Sequence, residues 1–308
     1  MSVMVTGGNG FIGRRIVREL SDRGEQVVCF DLAPPSAQQD GVSYYRGDVT
    51  QLPHILEACN THGVTRIVHM AALLPPDTED RPHFSMQVNI GGTNNVFEAA
   101  RWCGIERVVY ASSIAVYGVQ ETFGDRPVNE DDLPAPHNLY GMTKAVNDFS
   151  AARYRELYGL DLRGIRICTV FGHGRVTGMT GMIGGLMISL PAIGKPIDLP
   201  FDPTELSPMI HAEDAAQIFV RAALAENLNH PVYISGGHLC DIGDMADIVR
   251  DIIPDAHITT GDRKVPHIYL VDNSRMLADI GYEIAPLELR IRDHINDARQ
   301  EAGLDPVS

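Results

Sequence analysis

Val3-Met4-Val5-Thr6-Gly7-Gly8-Asn9-Gly10-Phe11-Ile12-Gly13 runs from a strand-like apolar stretch, through glycines at positions 7, 10 and 13, into a helix-like segment. Glycines are needed where a backbone turns sharply and must approach a pyrophosphate closely. A helix that starts at such a turn offers unpaired N–H groups and a partial positive charge to phosphates. Residues 26–30 read as a second buried strand, and Asp31 ends it, 18 residues past Gly13. A carboxylate there accepts hydrogen bonds from adenosine ribose hydroxyls, so the pattern predicts a bound dinucleotide. Asp31 repels a 2′-phosphate, and residues 32–38 contain no cation to hold one. Arg14 and Arg15 follow the third glycine and read as solvated helix surface. The expectation is NAD rather than NADP.

Strand-like runs recur at 2–6, 26–31, 43–46, 66–70, 106–112 and 163–169, with helix-like stretches at 11–23, 52–61, 82–103 and 140–158. Most of the strands are continuously apolar, as in a parallel sheet covered on both faces. Strand–helix alternation implies βαβ units with right-handed crossovers. The predicted fold is therefore α/β, a Rossmann-like doubly wound parallel sheet. After residue 172 Gly, Pro and Met become frequent and the alternation breaks down. Residues 1–172 with 208–235 are expected to form the NAD-binding domain, and 173–207 with 236–308 a smaller substrate-binding lobe. A helix is expected near 241–252 and another near 286–302.

The net charge of −15 argues against a nucleic-acid partner and disfavours an anionic membrane surface. Five cysteines, odd in number and without a Cys-x-x-Cys, mostly lie in apolar segments, as free thiols of a reducing cytoplasm do. The expectation from residues 1–6 is a chain without a secretory leader before the first strand. Residues 176–194 are uncharged, but five glycines, Pro191 and three hydroxyl residues dilute them, which points to a mobile Met-rich segment rather than a membrane span. No histidine or cysteine spacing suggests a metal.

Tyr140-Gly141-Met142-Thr143-Lys144 places a phenol and an ammonium one helical turn apart. A free phenol has a pKa of about 10, so service as a base near neutrality means lowering it by roughly three units, about 4 kcal/mol. A neighbouring ammonium and a nicotinamide cation together supply that. Val108-Val109-Tyr110-Ala111-Ser112-Ser113 reads as a strand ending in two hydroxyls. Ser113 there either steadies charge on a substrate oxygen or caps a turn. Asp77, Glu79 and Asp80 read as a solvated turn, and Trp102 as core.

With these residues the chain resembles the extended short-chain dehydrogenase/reductase family, the NAD-dependent epimerase/dehydratase group, over residues 1–235. The resemblance rests on the glycine motif, Asp31, Gly47-Asp48-Val49, His69-Met70-Ala71-Ala72, Asn89 with Gly92-Thr93, Ser112–Gly118, Tyr140 with Lys144, and His211-Ala212-Glu213-Asp214. It implies that Asp48 and Val49 hold the adenine, that Met70, Ala71 and Ala72 line the pyrophosphate and ribose, and that Asn89 belongs to the cofactor site. It also implies that Ser113, Tyr140 and Lys144 form a catalytic triad, with Lys144 on the nicotinamide ribose. A homodimer through the helices at 82–103 and 140–158 is implied likewise. Nucleotide-sugar members usually carry Asn where Thr169 stands and a diphosphate-binding Arg where Ser207 stands, which argues against a nucleotide sugar. Residues 70–74 and 112–118 look like those of bacterial short-chain-type L-threonine dehydrogenases, although the loop at 174–185 differs from theirs. The expected substrate is small and polar: a hydroxy acid, an amino acid or a free sugar derivative. Ser112, Ser113, Thr169 and Arg175 are its candidate ligands, and Arg175 is either a carboxylate ligand or a solvated loop cation. Two other readings stay open, a nucleotide-sugar epimerase or dehydratase that recycles NAD, and an NAD-sensing regulator without turnover.

Overall fold

A computed structural model describes residues 1–35 and 37–307; Ser36, within the cation-free stretch 32–38, lies outside them. The chain runs β1 (Ser2–Thr6), α1 (Gly13–Asp22), β2 (Gln26–Asp31), β3 (Val42–Arg46), α2 (Leu52–His62), β4 (Arg66–His69), α3 (Asp77–Asp80) and α4 (Pro82–Met86). A π-helical turn (Gln87–Gly92) then leads into α5 (Thr93–Cys103), β5 (Arg107–Ser113), α6 (Leu139–Tyr158), β6 (Leu162–Ile167), β7 (Thr169–Phe171) and α7 (Gly178–Gly181). After these come α8 (Met187–Ala192), β8 (Ile197–Asp198), β9 (Leu206–His211), α9 (Ala212–Leu224), β10 (Val232–Ile234), β11 (His238–Asp241), α10 (Ile242–Ile252), β12 (Ile258–Thr259), α11 (Ser274–Asp279) and α12 (Leu287–Glu301).

Seven strands form one parallel sheet in the order β10-β6-β5-β4-β1-β2-β3. The order reverses between β1 and β4, where Thr6 pairs with His69. A crevice opens at such a switch point beyond the strands' C-terminal ends. The β1 side chains are all buried, as the unbroken apolar run requires, and so are the middle four residues of β2. One apolar core packs α1 and α9 on one face, and a second packs α2 and α5 on the other.

The stretch 163–169 is not one strand. β6 ends at Ile167, Cys168 N–H turns to Ser235 Oγ (3.0 Å), and β7 joins β9 and β11 in a second sheet. That change of sheet puts Thr169 outside the main core. A third core gathers Phe171, Met187, Met245 and Ile291, and residues 178–192 belong to it as a packed helical run. The Met-rich segment is thus ordered by burial of Ile183, Met187 and Ile188. Residues Ile268, Met276 and Ile280, placed by sequence in the small lobe, pack on the main core instead. Among the described residues no helix is long and apolar enough to cross a membrane.

Trp102 is 71% exposed, with its indole N–H on Glu98 (2.9 Å), and Phe149 is 69% exposed. Both sit on outer faces of α5 and α6, which corrects the core assignment of Trp102. A helix that covers a sheet buries one stripe only, and composition alone does not say which.

Candidate active site

At the cofactor end, Gly7 adopts φ +67° and packs so closely on the β4 side of the crevice that a Cβ would stand 2.8 Å from Ala71 N. A Cβ on Gly13 would stand 2.0 Å from Gly7 O. The loop is therefore closed to side chains at both positions, and α1 begins against it. The N–H groups of Phe11 and Ile12 donate to no described residue, and α1 has no side-chain cap. Two unpaired donors at a helix N-terminus fit a pyrophosphate. Asp31 accepts from Asn9 N–H and Ala33 N–H, both at 2.9 Å, which leaves carboxylate lone pairs for ribose hydroxyls.

Arg15 is buried, contrary to the solvated reading. Its guanidinium binds Glu213 (2.9 Å) and Phe11 O (2.7 Å), while the exposed Arg14 reaches His173 O at 3.2 Å. Neither arginine is paired toward Asp31. His211 caps α9 by accepting Glu213 N–H (3.3 Å), and Asp214 binds Arg290 (2.6 Å). The His211–Asp214 motif thus ties α1, α9 and α12 together beneath the glycine loop.

The far wall of the cofactor crevice is braced from below. His69 Nδ1 meets Thr6 Oγ1 at 2.6 Å and its Nε2 meets Thr93 Oγ1 at 3.0 Å; burial pushes this imidazole down to about 3, so it is neutral. Asn89 corrects expectation. Its fully buried amide accepts from Leu73 N–H (2.7 Å), donates to Leu73 O (3.0 Å) and reaches Thr143 on α6. It fixes the loop after Met70-Ala71-Ala72 rather than facing the crevice itself. The π turn supplies this position, and Gly92 in it admits Val49, whose Cγ2 would lie 2.8 Å from a Cβ there. Asp48 accepts from Thr50 N–H at 2.9 Å, turning the chain that carries Val49.

Tyr140 stands in the first turn of α6, whose N-cap is Asn138 (accepting Gly141 N–H, 2.8 Å). Glu79, read from sequence as part of a solvated turn, accepts Leu139 N–H at 2.9 Å and so secures the same helix end. Lys144 is buried, with Nζ on Ala111 O (2.7 Å) and 5.5 Å from the Tyr140 ring centre. Burial brings Lys144 down to about 8, against the raising pull of Asp148. Tyr140 is held above its ordinary value by burial, opposed by the charge of Arg175 and by a hydrogen bond with Ser113. Arg175 thus acts on the phenol beside Lys144, whose ammonium stands 5.5 Å from the ring centre.

Ser113 has the capping role weighed from sequence: its Oγ accepts Ala115 N–H (3.1 Å) at the start of the following turn. Ser112 adjoins Ser113 at the end of β5. Successive strand residues face opposite ways, and its hydroxyl is buried without a partner among the described residues. A charged cluster beneath α6 was not foreseen: Arg166 Nε binds Asp148 (2.9 Å), Tyr110 OH donates to Asp148 (3.1 Å), and Arg166 also reaches Tyr117 OH.

Beyond the triad, Thr169 and Ser207 hydroxyls lie 2.8 Å apart, and His267 Nε2 is 3.2 Å from Ser207. The two departures from the nucleotide-sugar pattern therefore touch each other. They border a cavity of about 380 Å³, open solvent at its mouth included, together with Thr180, Met179, Met209, Met245 and Glu205. His267 and Glu205 were not singled out because they come from separate segments that only folding joins. No group of three or more His, Cys, Asp or Glu among the described residues is placed to hold a metal.

The family model "NAD dependent epimerase/dehydratase family" matches residues 3–243. The chain belongs to this family. An uncharacterized protein of Sinorhizobium fredii is 27% identical over 264 residues, covering 85% of this chain and 62% of that one. The chain's match thus spans less than two thirds of that relative's length. Two solved structures share the fold. The NAD complex of Thermus thermophilus UDP-glucose 4-epimerase aligns with TM-score 0.86 and 24% identity, over 97% of this chain and 99% of that one. The holo form of the GalE-like L-threonine dehydrogenase of Cupriavidus necator aligns with TM-score 0.86 and 22% identity, over 96% and 99%.

Proposed function

We propose that this family member is an NAD-dependent oxidoreductase that interconverts a secondary alcohol and a ketone on a small polar substrate. The observation that carries the reading is the convergence of Ser113, Tyr140 and Lys144 beside the glycine loop, at the C-terminal edge of the parallel sheet. NAD, when bound, supplies the hydride acceptor. Tyr140 takes the hydroxyl proton, Ser113 orients the reacting oxygen, and Lys144 carries positive charge under both. The unpaired Phe11 and Ile12 N–H groups and Asp31 fit the cofactor's pyrophosphate and ribose. The carboxylate of Asp31, which repels a 2′-phosphate, favours NAD over NADP.

A nucleotide-sugar epimerase or dehydratase is the second reading, and the fold likeness to UDP-glucose 4-epimerase favours it. The direct Thr169–Ser207 contact speaks against it, because no guanidinium stands there for a diphosphate. Absorbance at 340 nm, with NAD and a panel of hydroxy acids, amino acids, free sugars, uronates and nucleotide sugars, separates them. Net NADH with a non-nucleotide class supports the dehydrogenase. An isomerised or dehydrated nucleotide sugar without net NADH overturns it. The proposal includes a homodimer through the outer faces of α5 and α6, where Trp102 and Phe149 offer apolar surface to a second copy. Sedimentation of Phe149→Glu, monomeric against a dimeric parent, tests this part.

A further inference from the structure

Most buried or half-buried arginines near the active site have an anionic partner: Arg15 has Glu213, Arg166 has Asp148 and Arg290 has Asp214. Arg175 has none among the described residues. Its Nε (3.2 Å) and Nη2 (2.6 Å) both donate to Thr180 Oγ1, and its guanidinium lies 5.7 Å from the Phe11 ring centre. It is half-buried, and its charge acts on the Tyr140 phenol. A guanidinium presents donors in a planar fork that matches a carboxylate, and one thus desolvated stays poorly satisfied without an anion. Thr180, which holds the fork, lines the cavity that also meets Thr169 and Ser207.

The charge pattern along that cavity decides what anion fits. Its lining carries Glu205, which accepts Val265 N–H (2.7 Å), and Asp241, the cap of α10. One cation bound to a lining residue, against two carboxylates in the lining itself, favours a ligand with a single negative charge over a diphosphate. The lining also holds Met179, Met209 and Met245; thioether side chains adapt to short, irregular tails.

We infer that Arg175 holds the carboxylate of a small hydroxy acid, with its carbinol carbon at Tyr140 and its uncharged tail among the methionines. The inference rests on the dehydrogenase reading. In the step it serves, the carbinol C–H bond breaks and its hydride reduces NAD⁺ to NADH. The hydroxyl proton passes to the Tyr140 phenolate, and the carbon–oxygen bond becomes a carbonyl.

The test assays lactate, 3-hydroxybutyrate, threonine and gluconate, each beside its methyl ester, by NADH formation. Wild type is compared with Arg175→Met, Arg175→Lys and Thr180→Val, and NAD affinity is measured separately by calorimetry. At least one acid is expected to exceed its ester by about 10²-fold in kcat/KM, the scale of losing a desolvated charge pair. Arg175→Met should lose a similar factor, mainly through KM, with NAD affinity within about twofold and partial recovery in Arg175→Lys. Equal turnover of acid and ester overturns the assignment while the dehydrogenase reading stands. Weakened NAD affinity in Arg175→Met also overturns it, placing Arg175 on the cofactor pyrophosphate. If no alcohol of any class yields NADH, the parent reading falls. Saturation-transfer NMR of the same acids on the NADH-loaded protein then judges Arg175 alone: acid binding that Arg175→Met abolishes supports it, and no acid binding refutes it.

Discussion

Replacing Asp148 by Asn probes how the fold holds its active helix in place. Asp148 lies one turn beyond Lys144 on α6 and joins Arg166 of β6 (2.9 Å) and Tyr110 of β5 (3.1 Å), with the two charged side chains 7% and 6% exposed. Breaking a buried pair by neutralising one partner leaves the other charge uncompensated, at about 3–5 kcal/mol. Asn still accepts one hydrogen bond, so about 3 kcal/mol is the expected loss, or roughly 6 °C at about 2 °C per kcal/mol for a chain of this size. The assay is urea unfolding followed by circular dichroism for wild type, Asp148→Asn, Arg166→Met and the double variant. The expected coupling energy is about 2 kcal/mol, with the double variant little worse than either single one. Asp148 also raises Lys144, so its loss should move the alkaline limb of activity to lower pH. Additive losses with coupling below about 0.5 kcal/mol, and an unmoved limb, would refute the reasoning.

Other outcomes follow from the same geometry. Lys144 falls from 10.5 to about 8 through burial. Between those values the unfolded chain binds more protons, so stability rises with pH there. Below pH 8 the folded state carries a cost of about 3 kcal/mol at 1.36 kcal/mol per unit. Lys144→Met should therefore raise the thermal midpoint at pH 7 while abolishing turnover, and an unchanged or lower midpoint would sink the burial argument. Activity of the parent should decline above about pH 8 as Lys144 loses its proton, measured as kcat against pH. Gly13→Ala puts a methyl 2.0 Å from Gly7 O, so NAD affinity by calorimetry should drop at least tenfold; wild-type affinity would mean the loop does not hold the cofactor.

The strands and the glycine turn were legible because each is local: an apolar run for a doubly covered strand, and Gly7 and Gly13 where no Cβ fits. Tyr140 and Lys144 were legible because helical spacing alone places them together. Trp102 misled because a helix's outer stripe, when apolar, reads like its inner one. Arg15 is buried by Glu213, 198 residues away, and the cavity wall draws on Thr169, Glu205, Met245 and His267. Nothing in a local window joins residues so far apart, so both were out of reach of spacing and composition.

The central claim, that Tyr140 is the base of an NAD-linked oxidation, is tested most directly by Tyr140→Phe. NAD affinity and NADH formation are measured on the same preparation, with whichever alcohol the panel identifies. The account predicts unchanged NAD affinity with NADH formation reduced at least 10²-fold, within the range general-base removal gives. Turnover at the parental rate with a phenylalanine at 140 would contradict it.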